Sequence, residues 1–293
     1  VRFFTLLFSI ALFSLFIRFT TARNSFHNEF KLRKEKTDPA FLASPKEWVD
    51  SVFNTLSQAE KIGQLMMVAV HHNNNEYQKK EIKKLIQKYN IGGLIFFQGR
   101  PHKQAKLTNY YQSLAKTPLL IALDAEYGLA MRLDSTVKYP MQMMLGAVSN
   151  EKLIYDMGVH IAKQLKQIGT HINFAPVIDV NNNPDNPVIN MRSFGEDRVN
   201  VTRKGLLYMK GMQDNHILAV AKHFPGHGDT DTDSHLTLPL IPHSKERLDS
   251  IELFPFKELI NSGLDGVMTA HLSVPALDTN DRIASSLSPE IVT

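Results

Sequence analysis

The sequence contains no cysteine among its 293 residues. Disulfides, thiolate chemistry and cysteine-ligated zinc are therefore excluded. The compartment stays open, because an exported protein can do without cysteine. No Gly-x-Gly-x-x-Gly turn follows a strand-like run, which weakens a dinucleotide-binding reading. No long-period repeat is present. Charge of one sign is also scarce: 33 Lys and Arg stand against 29 Asp and Glu, a net charge of +4. The clearest basic cluster, Lys79, Lys80, Lys83 and Lys84, is interleaved with Ile82, Leu85 and Ile86 and reads as the solvated face of a helix. A nucleic-acid partner is not expected, since it needs Lys and Arg concentrated on one surface.

An unbroken membrane-length run is missing too. Arg2 precedes an apolar stretch over 3–17, interrupted by Thr5, Ser9 and Ser14 and closed by Arg18, with Thr20-Thr21-Ala22 after it. A spanning helix needs about 20 apolar residues. A basic start, a short apolar middle and a small-residue exit are the layout of a signal peptide. Residues 1–22 are thus read as a signal peptide or N-terminal anchor, with possible membrane attachment, and the protein as exported to the periplasm or the exterior. Residues 23–43 are polar with little periodicity and read as a linker. Ser44, Pro45 and Glu47 then mark a helix start, with Ser44 as cap and Pro45 in the first helical position. Ser57 and Glu60 repeat the capping signal.

From there a rhythm runs to the end of the chain. Apolar runs at 65–70, 93–97, 119–124, 172–177, 218–223 and 266–271 alternate with segments of helical period at 76–89, 103–115, 150–167, 199–213 and 244–261. Gly169 and Gly263 stand where helix C-caps are expected. Apolar strands alternating with helices argue for a parallel α/β sheet covered on both faces. Polar residues end several different strands: Asp124, Asp179, Lys222 with His223, and His271. In a barrel those ends converge on one mouth, so a TIM (β/α)8-type barrel is favoured over an open doubly wound sheet. The runs account for six of eight βα units, so the barrel is expected to be incomplete.

The densest constellation is Lys222-His223-Phe224-Pro225-Gly226-His227-Gly228, followed after four residues by Asp233-Ser234-His235. Asp229, Asp231 and Asp233 resemble the opening of a calcium loop, but Ser234 replaces the required Gly and Leu240 the required acid. His223 and His227 have the spacing of zinc ligands on a helix, which Pro225 and Gly226 forbid. No metal and no cofactor are expected.

The same residues are similar to the signature of β-N-acetylglucosaminidases of glycoside hydrolase family 3. Other stretches agree in order from 44 to 293: Leu56 to Leu65, Asp124-Ala125-Glu126 with Gly128 and Arg132, Asn186-Pro187-Val188-Ile189 with Arg192 to Asp197, and Ala270-His271-Leu272 with Pro275 to Asp278. The resemblance implies that Asp124, Arg132, Arg192, Lys222 and His223 bind the sugar. It implies that His235 is the general acid/base, assisted by Asp233. A histidine titrates near neutral pH, so it can protonate a leaving oxygen and then deprotonate water. A neighbouring aspartate can hold its tautomer and stabilise the imidazolium.

The function implied is removal of terminal β-N-acetylglucosamine from peptidoglycan fragments or chitooligosaccharides by a retaining route, with such oligosaccharides as the partners. The resemblance places the nucleophilic Asp beyond Thr293, so the chain reads as part of a longer protein. Asp265 precedes the sixth strand and is expected at the opposite end of the barrel. The alternatives are a family 3 β-glucosidase, against which Asp-Ser-His argues, and a sugar-binding fragment without activity. Export predicts that N-terminal sequencing of the mature protein finds the chain starting after the small residues that end at Ala22. An intact N-terminus on a cytoplasmic protein would overturn it.

Overall fold

The computed structural model describes residues 36–43, 45–71, 75–232, 237–280 and 282–293, and Lys36–Thr293 form one compact unit. Residues 36–43, within the segment read as a linker, form a 3-10 turn at Ala40–Ala43 and a bridge from Thr37 to Ser262. Two helices lead in, α1 (Lys46–Thr55) and α2 (Gln58–Gly63). Pro45 takes the cap position of α1 itself, one residue earlier than the expected first helical position. At α2 the capping box forms: Glu60 N donates to Ser57 Oγ, and Ser57 N donates to Glu60 Oε2 at 2.8 Å.

The alternation follows as β1 (Met67–His71), α3 (Glu76–Tyr89), β2 (Gly93–Phe97), α4 (Pro101–Leu114) and β3 (Leu120–Leu123). Next come α5 (Gln142–Gly146), α6 (Lys152–Gln167), β4 (Ile172–Asn173), α7 (Arg198–Gln213) and β5 (Leu218–Phe224). The chain closes with α8 (Lys245–Ser250), α9 (Phe254–Asn261), β6 (Gly266–Thr269) and α10 (Pro289–Val292). All strands are parallel, in the sheet order β1-β2-β3-β4-β5-β6. Among the described residues β1 and β6 each pair on one side only, so the sheet is an open arc of a (β/α)8-type barrel. Gly169 and Gly263 end their helices with φ of +72° and +85°, as the sequence required.

The helices bury a stripe each. Ile154, Met157, Ile161 and Leu165 of α6 recur every three or four residues, and all are buried. Burying each large aliphatic chain of this kind contributes roughly 1.5–3 kcal/mol. β3 lies at the centre, with Ile121, Ala122 and Leu123 out of contact with water. A smaller cluster of Ile241, Leu248, Leu253, Ala270, Leu272 and Val274 packs beneath β6. Among the described residues no helix is long and apolar enough to cross a membrane. The apolar run over 3–17 lies outside the described residues.

Two departures from the sequence reading shape the site. The helical segment over 244–261 is two helices, because the chain breaks after Ser250 and Pro255 sits in the first turn of α9. Proline has no N–H to continue a helix, so it is tolerated only there. The break turns Glu252 inward, where it is 1% exposed. The fourth strand is much shorter than 172–177. Pro176 has no N–H for the ladder, and the chain stays beside β5 through Val220 N to Ala175 O and a Val177–Lys222 bridge.

On its other side Val177 has a side chain in place of a strand. Gln142 Nε2 donates to Val177 O at 2.7 Å, and Val177 N donates to Gln142 Oε1 at 3.3 Å. Gln142 is buried, so its loss cannot be made good by water. Gln142→Leu is expected to cost about 2–4 kcal/mol by leaving two buried backbone groups unpaired. A urea titration checks this, and a midpoint equal to the parent's would show that the amide does not replace a strand.

Candidate active site

The C-terminal ends of β3, β4 and β5 deliver a set of charged side chains to one place. Asp124 and Glu126 follow β3, Asp179 follows β4, and Lys222 and His223 lie in β5. Neighbours in a strand normally point to opposite faces. Here the pairing of β5 with β6 shifts register between Lys222 and Phe224, and this irregularity re-aims one side chain. Lys222 and His223 therefore join the same network.

Lys222 Nζ sits 2.8 Å from Asp124 Oδ1 and 2.8 Å from Glu126 Oε1. Arg132 Nη2 reaches Asp124 Oδ2 at 2.6 Å, and its guanidinium lies over the Phe97 ring, 4.9 Å from the centroid. The Phe97 ring stacks in turn on His71. Arg192 grips Glu126 with two bonds, Nε to Oε2 at 2.9 Å and Nη2 to Oε1 at 2.7 Å. The same Nη2 lies 3.1 Å from His223 Nε2. His223 Nδ1 is 2.7 Å from Asp179 Oδ2. Asp179 also accepts the backbone N–H of His223 and of His227, the latter at 2.7 Å. One chain of contacts thus runs Arg132, Asp124, Lys222, Glu126, Arg192, His223, Asp179.

The tautomer of His223 follows from its partners. A carboxylate only accepts, so Nδ1 carries the proton, and Nε2 is left to accept from Arg192. Burial pushes the His223 pKa down and outweighs the pull of Asp179, so the ring is neutral. Burial raises the Glu126 carboxyl, but Lys222 and Arg192 outweigh it and hold it at about 2. Burial likewise opposes ionisation of Asp124, and Lys222 with Arg132 again keeps it below the usual carboxylate range. Three carboxylates face three cations, so the cluster is balanced without a ligand.

Neutral groups hold the loops beneath these charges. Asn173 Oδ1 accepts from Ala125 N at 3.0 Å, and its amide donates to Ala125 O. The Tyr208 hydroxyl donates to Ala125 O at 3.0 Å. Asn186 donates to His227 O at 2.8 Å and accepts from Val188 N and Ile189 N, which ties the loop after β4 to the loop after β5. Gly228 lets those loops meet. A Cβ there would lie 1.9 Å from Val180 O.

A second cluster lies beside the first. Ligand atoms of Asp229, His243 and Glu252 fall within 4.8 Å of one another, close enough to hold a cation. Arg247 fills that role: its Nη1 is 2.6 Å from Glu252 Oε1 and its Nη2 3.5 Å from Asp229 Oδ2.

The sugar-binding candidates Asp124, Arg132, Arg192, Lys222 and His223 are thus brought together. Asp233 and His235 lie outside the described residues. His271 does not join: it is exposed and hydrogen-bonds Ser286 Oγ. Asp265 accepts from Ala219 N and Gln213 Nε2 at the N-terminal end of β5, opposite the cluster. Sequence reasoning assigned no role to Glu126 and Asp179. Both stood in view, Glu126 two residues after Asp124 and Asp179 at a strand end. What marks them is that each bridges two partners, which a linear pattern does not display.

The family model described as "Glycosyl hydrolase family 3 N terminal domain" matches residues 57–293. Beta-hexosaminidase A of Pseudoalteromonas piscicida is 39% identical over 72% of this chain and 38% of its own length. A glycoside hydrolase family 3 beta-N-acetylglucosaminidase from Paenibacillus sp. str. FPU-7 superposes with a TM-score of 0.75 at 40% identity, over 81% of this chain and 46% of that one. NagZ from Neisseria gonorrhoeae in complex with N-trifluoroacetyl-D-glucosamine gives a TM-score of 0.67 at 29% identity, over 75% and 66%. The chain spans about half the length of the curated relatives it matches.

The charge network predicts an acid-sensitive fold. Glu126 has a folded value of about 2 against an ordinary 4.5. Its contribution, on the order of 3 kcal/mol, is present above pH 4.5 and is lost as the pH falls toward 2. Glu126→Gln should lower stability at pH 7, because Lys222 and Arg192 lose a partner, and should flatten the decline below pH 4.5. Urea midpoints of the intact protein from pH 7 to pH 3 measure both. An acid slope unchanged by the substitution would show that Glu126 is not the ionised partner.

Proposed function

The chain belongs to glycosyl hydrolase family 3, and from that premise we propose that it hydrolyses terminal β-N-acetylglucosamine from peptidoglycan fragments or chitooligosaccharides. The observation that carries the reading is the Asp124 carboxylate shared between Arg132 and Lys222 at the barrel mouth. A sugar is neutral and rich in hydroxyls. It is recognised by groups that both donate and accept in fixed directions. Arg132, Lys222 and Arg192 donate, Asp124 and Glu126 accept, and the ion pairs between them fix each group before the sugar arrives. The beta-hexosaminidase names of the relatives support the substrate class.

In this reading Asp124, Arg132, Arg192, Lys222 and His223 grip the terminal sugar, and His235 with Asp233 supplies the acid and then the base. His223 is the competing histidine, since Asp179 orients it as an aspartate orients a catalytic imidazole. Its Nε2 faces Arg192, however, and a lone pair held by a guanidinium is poorly placed to take a proton from water. His223 therefore serves binding and orientation. The carboxylates at the mouth are committed in the same way: Asp124 and Glu126 to cations, Asp179 to His223 and His227. The attacking carboxylate of the retaining route is a separate residue. Its glycosyl-enzyme ester forms as the aglycone oxygen takes the His235 proton, and water activated by His235 then cleaves it.

His235→Ala in the intact protein should lower turnover by roughly 10²- to 10⁴-fold, the usual contribution of general acid–base catalysis, with little change in N-acetylglucosamine binding. Arg132→Ala should do the reverse and weaken binding roughly tenfold or more, as expected for a charged hydrogen bond. Release from nitrophenyl N-acetylglucosaminide, beside nitrophenyl glucoside, measures both. Full activity of His235→Ala on aglycones that leave poorly would remove the acid/base assignment, and preference for the glucoside would replace the substrate class.

A further inference from the structure

The loop that carries Asp124 and Arg132 is docked on the end of the neighbouring strand. Gln98 and Gly99 follow β2 with φ of +60° and +131° and turn the chain there. Gly99 then bridges Leu133, and Asp134 N donates to Gly99 O at 2.8 Å. This backbone tie brings Phe97, the last residue of β2, against Arg132. Successive side chains of a strand alternate, and Phe97 stands with Ile95 on the face opposite the buried Leu94 and Phe96. His71 is its register partner on β1 and stacks on the ring, 5.5 Å between centroids at an interplanar angle of 22°.

The backbone tie fixes where the Arg132 side chain starts, not where its guanidinium ends. An arginine has many rotamers, and ordering them is costly. Nη2 donates to Asp124 Oδ2 at 2.6 Å, but one bond leaves the guanidinium plane free to turn about it. The buried Nε has no hydrogen-bond partner among the described residues. What meets the guanidinium is the Phe97 ring, whose centroid is 4.9 Å away. A cation over an aromatic face at this range is held by the ring quadrupole, more strongly where water is excluded. Nothing in the proposed chemistry uses Phe97. We infer that Phe97 is a positioning residue for sugar binding, its ring setting the plane in which the Arg132 guanidinium stands beside Asp124. The inference rests on the reading of Arg132 as a sugar-binding residue. Phe97 acts on affinity through Arg132, so its effect vanishes when Arg132 is removed.

Calorimetry with N-acetylglucosamine on the intact protein tests this as a double-mutant cycle. Phe97→Leu keeps an apolar side chain, removes the ring and should weaken binding roughly 3- to 30-fold, the range of a cation–π contact. The loss should fall on KM for nitrophenyl N-acetylglucosaminide more than on kcat. Phe97→Tyr keeps the ring face and should restore the parent affinity. In an Arg132→Ala background, Phe97→Leu should change affinity by about twofold or less. Fluorinated phenylalanines at position 97 keep the shape of the ring and drain its electron density, so affinity should fall stepwise with added fluorine. That series also serves if Phe97→Leu fails to fold. Equal losses with and without Arg132, or an affinity indifferent to fluorine, would overturn the inference. The two claims stay distinct. If Arg132→Ala weakens binding and Phe97→Leu does not, the positioning role alone fails; if Arg132→Ala leaves binding unchanged, the sugar-binding reading fails and the positioning role falls with it.

Discussion

The site is organised around one ammonium group. The Lys222 side chain is 2% exposed, and its Nζ is shared by Asp124 and Glu126, which come from the loop after β3 while the lysine comes from β5. Removing a charge from water costs several kcal/mol, and attraction repays that only when the partners are held in place. Everything around Lys222 does that holding. Arg132 occupies the far oxygen of Asp124, Arg192 spans both oxygens of Glu126, and Asp179 orients the histidine on which Arg192 leans. Loss of any one member leaves a buried charge facing an empty place, so the residues behave as a unit.

The loops that present these charges are held by neutral side chains. Asn173, Tyr208, Gln142 and Asn186 make bonds to backbone atoms of neighbouring loops, so Asp124 and Glu126 are left to pair with the cations. This division has a physical basis. A neutral amide loses less on desolvation than an ion, so it can hold a buried turn without a counter-charge. These neutral contacts do not ionise in mild acid, so the buried ion pairs carry the acid sensitivity of the fold.

A self-paired cluster also sets the terms of recognition. Under the proposed function, a sugar entering this mouth would meet donors and acceptors already directed, so little ordering would be left to be done on binding. The two loops after β4 and β5 are tied by Asn186 and meet at Gly228, so the charges that they carry share a frame.

The alternation of apolar runs and helical stretches determined the class of fold, because period-two and period-3.6 patterns reflect burial of each element on its own. Gly169 and Gly263, Ser57 with Glu60, and the polar residues closing the strands were readable for the same reason: each acts through its immediate neighbours in the chain. The sugar-site candidates were legible through a resemblance, and the motif residues Lys222 and His223 stood out on their own at a strand end. What only tertiary structure decided were the partnerships across long separations. Glu126 bridges Lys222 and Arg192, 66 residues away from the latter, and Asp179 reaches His223 across 44. Gln142 stands in for a strand beside Val177, Pro255 splits a helix, and Glu252 turns inward beside Arg247. Periodicity records which face of an element is buried. It does not record which polar group on another element waits there, because that depends on how the elements are stacked.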